Sequence, residues 1–174
     1  MKTRLRLAVF IMLAGIPGLS AQSMPAGLSH EAHQQQMKKE AELKRNGLAA
    51  MGFDQDAAVH HFRLRADGGA IEVEAAKATD EATREAIRVH LREIAAEFER
   101  GSFDKPFRTH GEAPPGVSEL VGLRGAVTYR FEEMPAGGRV RITTVNPDAL
   151  AALHAFLTYQ IREHATGDSQ VVEK

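Results

Sequence analysis

The sequence predicts an α/β (α+β) two-layer sandwich: two ββα repeats, with a four-stranded, mainly antiparallel sheet and two helices on one face. Three observations predict it. Four short segments alternate apolar and polar residues, the period of half-buried strands. A Gly-Gly doublet lies at the turn of each strand pair, Gly68-Gly69 and Gly137-Gly138. Each pair is followed by a helix-length segment with one apolar stripe. A sheet with one apolar face must bury it, and covering helices are the simplest way.

Residues 1–21 read as a secretory signal peptide. Lys2, Arg4 and Arg6 precede an apolar run from Leu7 to Ile16, Pro17 and Gly18 break it, and cleavage is expected near Ala21. The run is shorter than the roughly 20 residues a membrane span needs. The expected address is periplasmic or secreted, with no membrane span in the mature chain. Residues 22–50 form a polar arm, helical or flexible. Ser29 is a candidate cap for a helix to about Arg45, with Gly47 as its stop.

The folded domain is expected over residues 51–168, with 169–174 as a tail. His60, Phe62 and Leu64 alternate with His61, Arg63 and Arg65, and Ile71 and Val73 alternate with Glu72 and Glu74. Asp80 caps a helix to about Arg100, with Ile87, Leu91, Ile94 and Phe98 on one face and Gly101 as its stop. Ser102–Gly116, with three prolines, reads as a loop, and a short helical turn follows over 117–123. The second half repeats the plan. Val127, Tyr129 and Phe131 face inward, as do Val140 and Ile142. Asn146-Pro147 opens a helix whose buried face carries Leu150, Leu153, Leu157 and Ile161. The shared turn suggests an internal repeat.

Composition narrows the function. The chain has 174 residues, about one domain's length, with 43% hydrophobic and 26% charged residues, in the globular range. It has no Cys, which removes disulfides, thiolate metal sites and a Cys nucleophile. Its 22 Lys+Arg nearly balance 23 Asp+Glu, and removal of the leader leaves an acidic chain. A nucleic-acid partner is not expected, since glutamates share the outer sheet face with its arginines. That face, with His61, Arg63, Arg65, Glu72, Glu74, Arg130, Glu132, Arg139 and Arg141, suits cross-strand ion pairs, a homodimer contact or a protein partner.

The eight histidines are the chemical clue. Without Cys, imidazole is the best remaining ligand for zinc or Cu(II), with Met available for Cu(I). Strand parity sends His60 toward the helices and His61 outward. His90 flanks the apolar stripe and can approach His60. His110 lies in a mobile-looking loop that can close over both. His154 and His164 lie about 15 Å apart on one helix and cannot share an ion. In a last helical turn, a partly cationic His164 offsets the helix dipole. His30 and His33 are expected in solvent. The expected metal or ligand set is His60, His90 and His110, with His61 and His164 as outer candidates and copper or zinc as the ion. No acidic loop with calcium spacing occurs. No GxSxG elbow, phosphate loop or dinucleotide glycine set is present, so enzymatic activity is not the first expectation.

Met51-Gly52-Phe53-Asp54-Gln55, His60-His61-Phe62, the Gly-Gly hairpin, Ile87-Arg88 with His90-Leu91, and Phe156-Leu157 through Gln160-Ile161 to His164-Ala165-Thr166-Gly167-Asp168 carry a resemblance. Over residues 51–168 the chain resembles a family of small exported bacterial proteins without an established function. Members sometimes carry the label aspartate carbamoyltransferase. This sequence does not support the label: it is far shorter than a two-domain transcarbamylase and lacks that enzyme's Ser-Thr-Arg-Thr phosphate loop. The resemblance implies that His60, His61, His90, His110 and His164 fall in the family's motif blocks, while His30 and His33 do not. Three functions follow as expectations: a histidine-based transition-metal or small-ligand binder, an interaction module using the charged sheet face, and a small His-dependent or metal-assisted hydrolase.

Overall fold

The computed structural model describes residues 30–173; the leader expected over 1–21 and the start of the arm lie outside the described residues. Strands β1 (Ala58–Arg65), β2 (Gly68–Ala75), β3 (Val127–Met134) and β4 (Gly137–Thr144) form one antiparallel sheet in the order β1-β2-β4-β3. Each hairpin closes through a two-residue loop, Ala66-Asp67 or Pro135-Ala136. One step along the chain takes Ala58 to Val127 and also Gly68 to Gly137, so the two hairpins share length and register. They join through β2 and β4, where Ile71 faces Val140.

Helices α2 (Glu81–Glu99) and α5 (Pro147–Glu163) supply the second layer. Asp80 starts α2 by accepting the Thr83 N–H at 3.0 Å, and Asn146 starts α5 by accepting from Asp148 and Ala149. Pro147 occupies the first turn, where its missing N–H is not needed. The helices cross over: α2 packs mainly on β3 and β4, and α5 on β1 and β2. Ile87, Leu91 and Phe98 of α2 meet Leu153, Phe156 and Leu157 of α5 above Val73, Val140 and Ile142, all fully buried. Burying each large apolar side chain contributes about 1.5–3 kcal/mol.

The opposite face carries the expected cross-strand pairs. Arg63 meets Glu72 at 3.5 Å, Glu72 meets Arg139 at 3.8 Å, and Arg139 meets Glu132 at 2.6 Å. Among the described residues no helix is long and apolar enough to cross a membrane.

Two elements differ from the sequence expectation. Helix α1 (His30–Met51) does not stop at Gly47 but runs to Met51, and Gly52 ends it with φ 79° and an N–H donated to Leu48 O at 3.0 Å. Gly47 lies inside the helix against the ends of the Gln55 and Met51 side chains. The segment read as loop 102–116 contains helix α3 (Asp104–His110). Pro106 lies in its first turn, so proline does not oppose helix there. Helix α4 (Val117–Gly122) matches the expected turn. The tail is also engaged: the Glu173 N–H donates to Leu64 O at 2.8 Å beside the free edge of β1.

Candidate functional site

His60 is the third residue of β1 and shares the inward parity of Phe62 and Leu64. His90 comes from the buried stripe of α2 and is 8% exposed. On α5 the stripe continues past Leu153 and Leu157 to Gln160 and then His164, which caps the helix. Ala165, at φ 48°, turns the chain away immediately afterwards. Helix α3 roofs the space with Pro106, Thr109 and His110. Met51, the last residue of α1, closes one side. Together they line a half-open cavity of about 60 Å³, room for a few water molecules or one small ligand.

The four histidines of the cavity are linked by ring contacts, with Phe53, behind the lining, between His90 and His60. Phe53 contacts His90 edge-on at 5.7 Å and stacks on His60 at 6.1 Å. His60 stacks on His164 at 5.5 Å with planes 18° apart, and His164 meets His110 edge-on at 5.2 Å. His60, His90 and His110 therefore share a cavity without meeting at one point. Among the described residues, no three His, Cys, Asp or Glu side chains are grouped to hold a metal ion.

Burial keeps His60, His90 and His164 neutral at pH 7. Burial pushes His60 down to about 4, helped by repulsion from His61. Burial also pushes His90 to about 4, helped by Lys105 and His60. His164 falls to about 3 through burial and its neighbours His60 and His110. The expectation that a partly cationic His164 offsets the α5 dipole is therefore corrected: its ring lies in an apolar wall that opposes charge. His110 is corrected too, from a mobile loop to the last residue of α3, where Nε2 donates to Gln160 Oε1 at 3.0 Å.

Three polar atoms of cavity side chains are buried without a hydrogen-bond partner: His60 Nε2, His90 Nδ1 and Gln160 Nε2. The other described histidines have different surroundings. His154 Nε2 donates to Arg65 O and Gly68 O, both at 3.0 Å, a structural tie. His33 is exposed on α1. His61 faces the outer side of the sheet and does not reach the cavity; its Nδ1 donates to Asp168 Oδ1 at 2.9 Å.

Asp168 also accepts from the Phe62 N–H and from Arg63 Nη1, each at 3.0 Å, and its side chain is 4% exposed. Burial alone would raise its pKa. The bonds from Phe62, Thr166 and His61 outweigh that and hold it below the usual carboxylate range. Asp168 thus fastens the chain just after His164 to the edge of β1. The sequence reading missed Gln160, Met51 and Asp168 as contributors. Gln160 had a signal, since it follows Leu153 by seven residues on the apolar stripe; Asp168 closes a motif block but carried no sign of its role, because its partners lie in a distant strand.

Comparison with known proteins finds no matching family model, no matching curated protein and no matching solved structure.

Proposed function

We propose that this chain is an exported binding protein that holds one small ligand in the cavity beneath β1, against His60, His90, His164 and Gln160. The observation that carries this is that three unpartnered buried atoms, His60 Nε2, His90 Nδ1 and Gln160 Nε2, belong to side chains lining one cavity. An unpaired buried polar group costs about 1–3 kcal/mol. A ligand that pairs with all three recovers much of that cost and gains specificity from apolar walls. The resemblance over residues 51–168 agrees, since it places His60, His90 and His164 in motif blocks.

Binding is favoured over hydrolysis by the lining itself. Among the described residues no carboxylate and no serine lines the cavity, and the Thr109 hydroxyl already donates to Lys105 O at 3.0 Å. A nucleophile beside a general base, the usual hydrolytic pairing, is not found among the described lining residues. The charged outer face supports partner binding less well, because Arg63, Arg139 and Arg141 are each engaged by carboxylates.

A melting-temperature screen tests the proposal. It uses the mature chain, without a His tag, against metal ions, small azoles and small amides. A ligand held only by the native state at about 100 times its Kd adds about 2.7 kcal/mol of stability. At least one panel member should raise the melting temperature of the wild type and lose its effect in His60→Phe. If no member does so, and a crystal structure shows only ordered water on the three atoms, the cavity is a hydrated packing gap. Export is tested separately, by N-terminal sequencing of the protein from the periplasm or medium.

A further inference from the structure

We infer that the cavity's ligand class is a small uncharged carbonyl compound, whose oxygen accepts from the Gln160 side-chain amide and whose apolar body packs on Val73, Leu91 and Ile94. This rests on the binding-pocket reading above and names its ligand. The Gln160 amide sets the polar requirement. It lies on the buried stripe of α5 and is 4% exposed. Its Oε1 accepts from His110 Nε2 at 3.0 Å, and its Nε2 is buried with no protein partner. An amide NH2 group only donates, so what it lacks is an acceptor. His60 Nε2 and His90 Nδ1 are compatible with that. A neutral imidazole carries one N–H and one bare nitrogen, so each ring can present either to a ligand.

Charge argues against an ionic ligand. Among the described lining residues the only Lys, Arg, Asp or Glu is Lys105. Its ammonium is engaged by Glu93 at 3.0 Å and Glu97 at 2.6 Å, so these three groups together carry one negative charge. An anion would compete with two carboxylates for one ammonium. A cation would face that ammonium and the Gln160 N–H groups. His60, His90 and His164, held neutral by burial, offer no charge of either sign at pH 7. A charged ligand would therefore lose its hydration with no counter-ion in return. A carbonyl loses far less and regains a hydrogen bond.

Size and access set the rest. A water-sized group needs about 10–15 Å³ of such space, so the cavity of about 60 Å³ takes a body of about four to six non-hydrogen atoms. Besides its histidines, Lys105, Thr109 and Gln160, the described lining is apolar, with Phe62, Ile71, Phe98 and Phe156 among its members. One acceptor on a short hydrocarbon body matches that balance. A ligand with several hydroxyls would bury some of them against hydrocarbon without partners. Met51, His90 and Lys105 also line the open groove between α1, α2 and α3, so a ligand can enter from that side.

The test titrates the full mature chain with cyclopentanone, cyclopentane, butyrate and butylammonium, probes of similar size that differ in acceptor and charge. Binding is read from nitrogen–proton spectra that include the side-chain amides. Cyclopentanone should bind and move the Gln160 Nε2 resonances. Cyclopentane, which lacks the acceptor, should bind at least about tenfold more weakly, because it leaves that amide unpaired. The two ions should not bind in the cavity. Gln160→Met keeps a similar side-chain volume without the donor; it should erase the preference for cyclopentanone over cyclopentane. The wild-type comparison decides the matter even if that variant does not fold. Equal affinity for cyclopentanone and cyclopentane, an unmoved Gln160 amide, or tighter binding of either ion overturns the inference. If cyclopentanone fails while an azole or a metal ion from the melting screen binds, only the ligand class falls. If nothing binds in either experiment, the pocket reading falls with it.

Discussion

His60 and Tyr129 hold the same place in their hairpins, third in β1 and third in β3, yet their surroundings differ. Tyr129 meets the Phe98 ring edge-on at 5.7 Å, Phe98 stacks on Phe103 at 4.1 Å, and Phe156 closes on both at 5.8 Å. That end is filled with aromatic carbon. At the other end His60 lies between Phe53 and His164, over a cavity, with a buried nitrogen that has no partner. One scaffold, built twice, packs aromatic rings beneath β3 and leaves a cavity beneath β1, with Phe98 and Phe156 on the boundary between the two. The β3 end should therefore carry stability and the β1 end ligand affinity.

The largest expected effect is at the filled end. Phe98→Ala removes the hub of four aromatic rings and should cost about 3–5 kcal/mol, read from the urea midpoint. A loss below about 1 kcal/mol would erase the contrast between the two ends.

Acid should act through the open end. Folded His60, His90 and His164 titrate at about 4, 4 and 3, against 6.5 for a free ring. Between pH 6.5 and 4 the unfolded chain binds more protons than the folded one. Stability is thus full above pH 6.5, falls as pH drops, and levels off below the folded values. At pH 5 each ring accounts for about 2 kcal/mol of lost stability. Denaturant titrations from pH 7 to 5 measure this, and His60→Phe should make the slope shallower. A flat profile would mean that these rings are solvated.

Asp168→Asn should cost about 2 kcal/mol, because it removes a buried carboxylate that accepts from three groups. It should also shift the His164 ring resonances, since Asp168 fastens the segment that follows His164. Unmoved His164 signals would confine Asp168 to the outer face. The smallest effect belongs to His60→Phe at pH 7. Exchanging an unpartnered imidazole for a ring of similar shape should change stability by less than about 1 kcal/mol. A loss of several kcal/mol would show that His60 is a packing residue like Tyr129.

The β1 to β4 alternation and the two long stripes were legible because burial on one face imposes a period that sequence records directly. Asp80, Asn146 and Pro147 marked helix starts for the same local reason. Helix α3 was hidden by Pro106, whose place in a first turn cannot be told from a loop proline without the helix around it. In the site, the inward parity of His60 and the stripe position of His90 were readable. His164 was placed at the right helix end but assigned a charge there, because its burial arises from β1 and α3. Asp168 depended on a contact across 107 positions with His61, which no local pattern encodes.

The central claim is that the imidazoles beneath β1 wait for a ligand while the other described histidines do not. Long-range nitrogen–proton correlation spectra of the histidine rings, recorded during titration with the small-molecule panel, test it most directly. The account predicts shifts at His60 and His164 on binding, with His154 and His61 held at their carbonyl and carboxylate partners. Ligand-induced shifts confined to His33 or His61, or no shift at any cavity ring with any ligand, would contradict it.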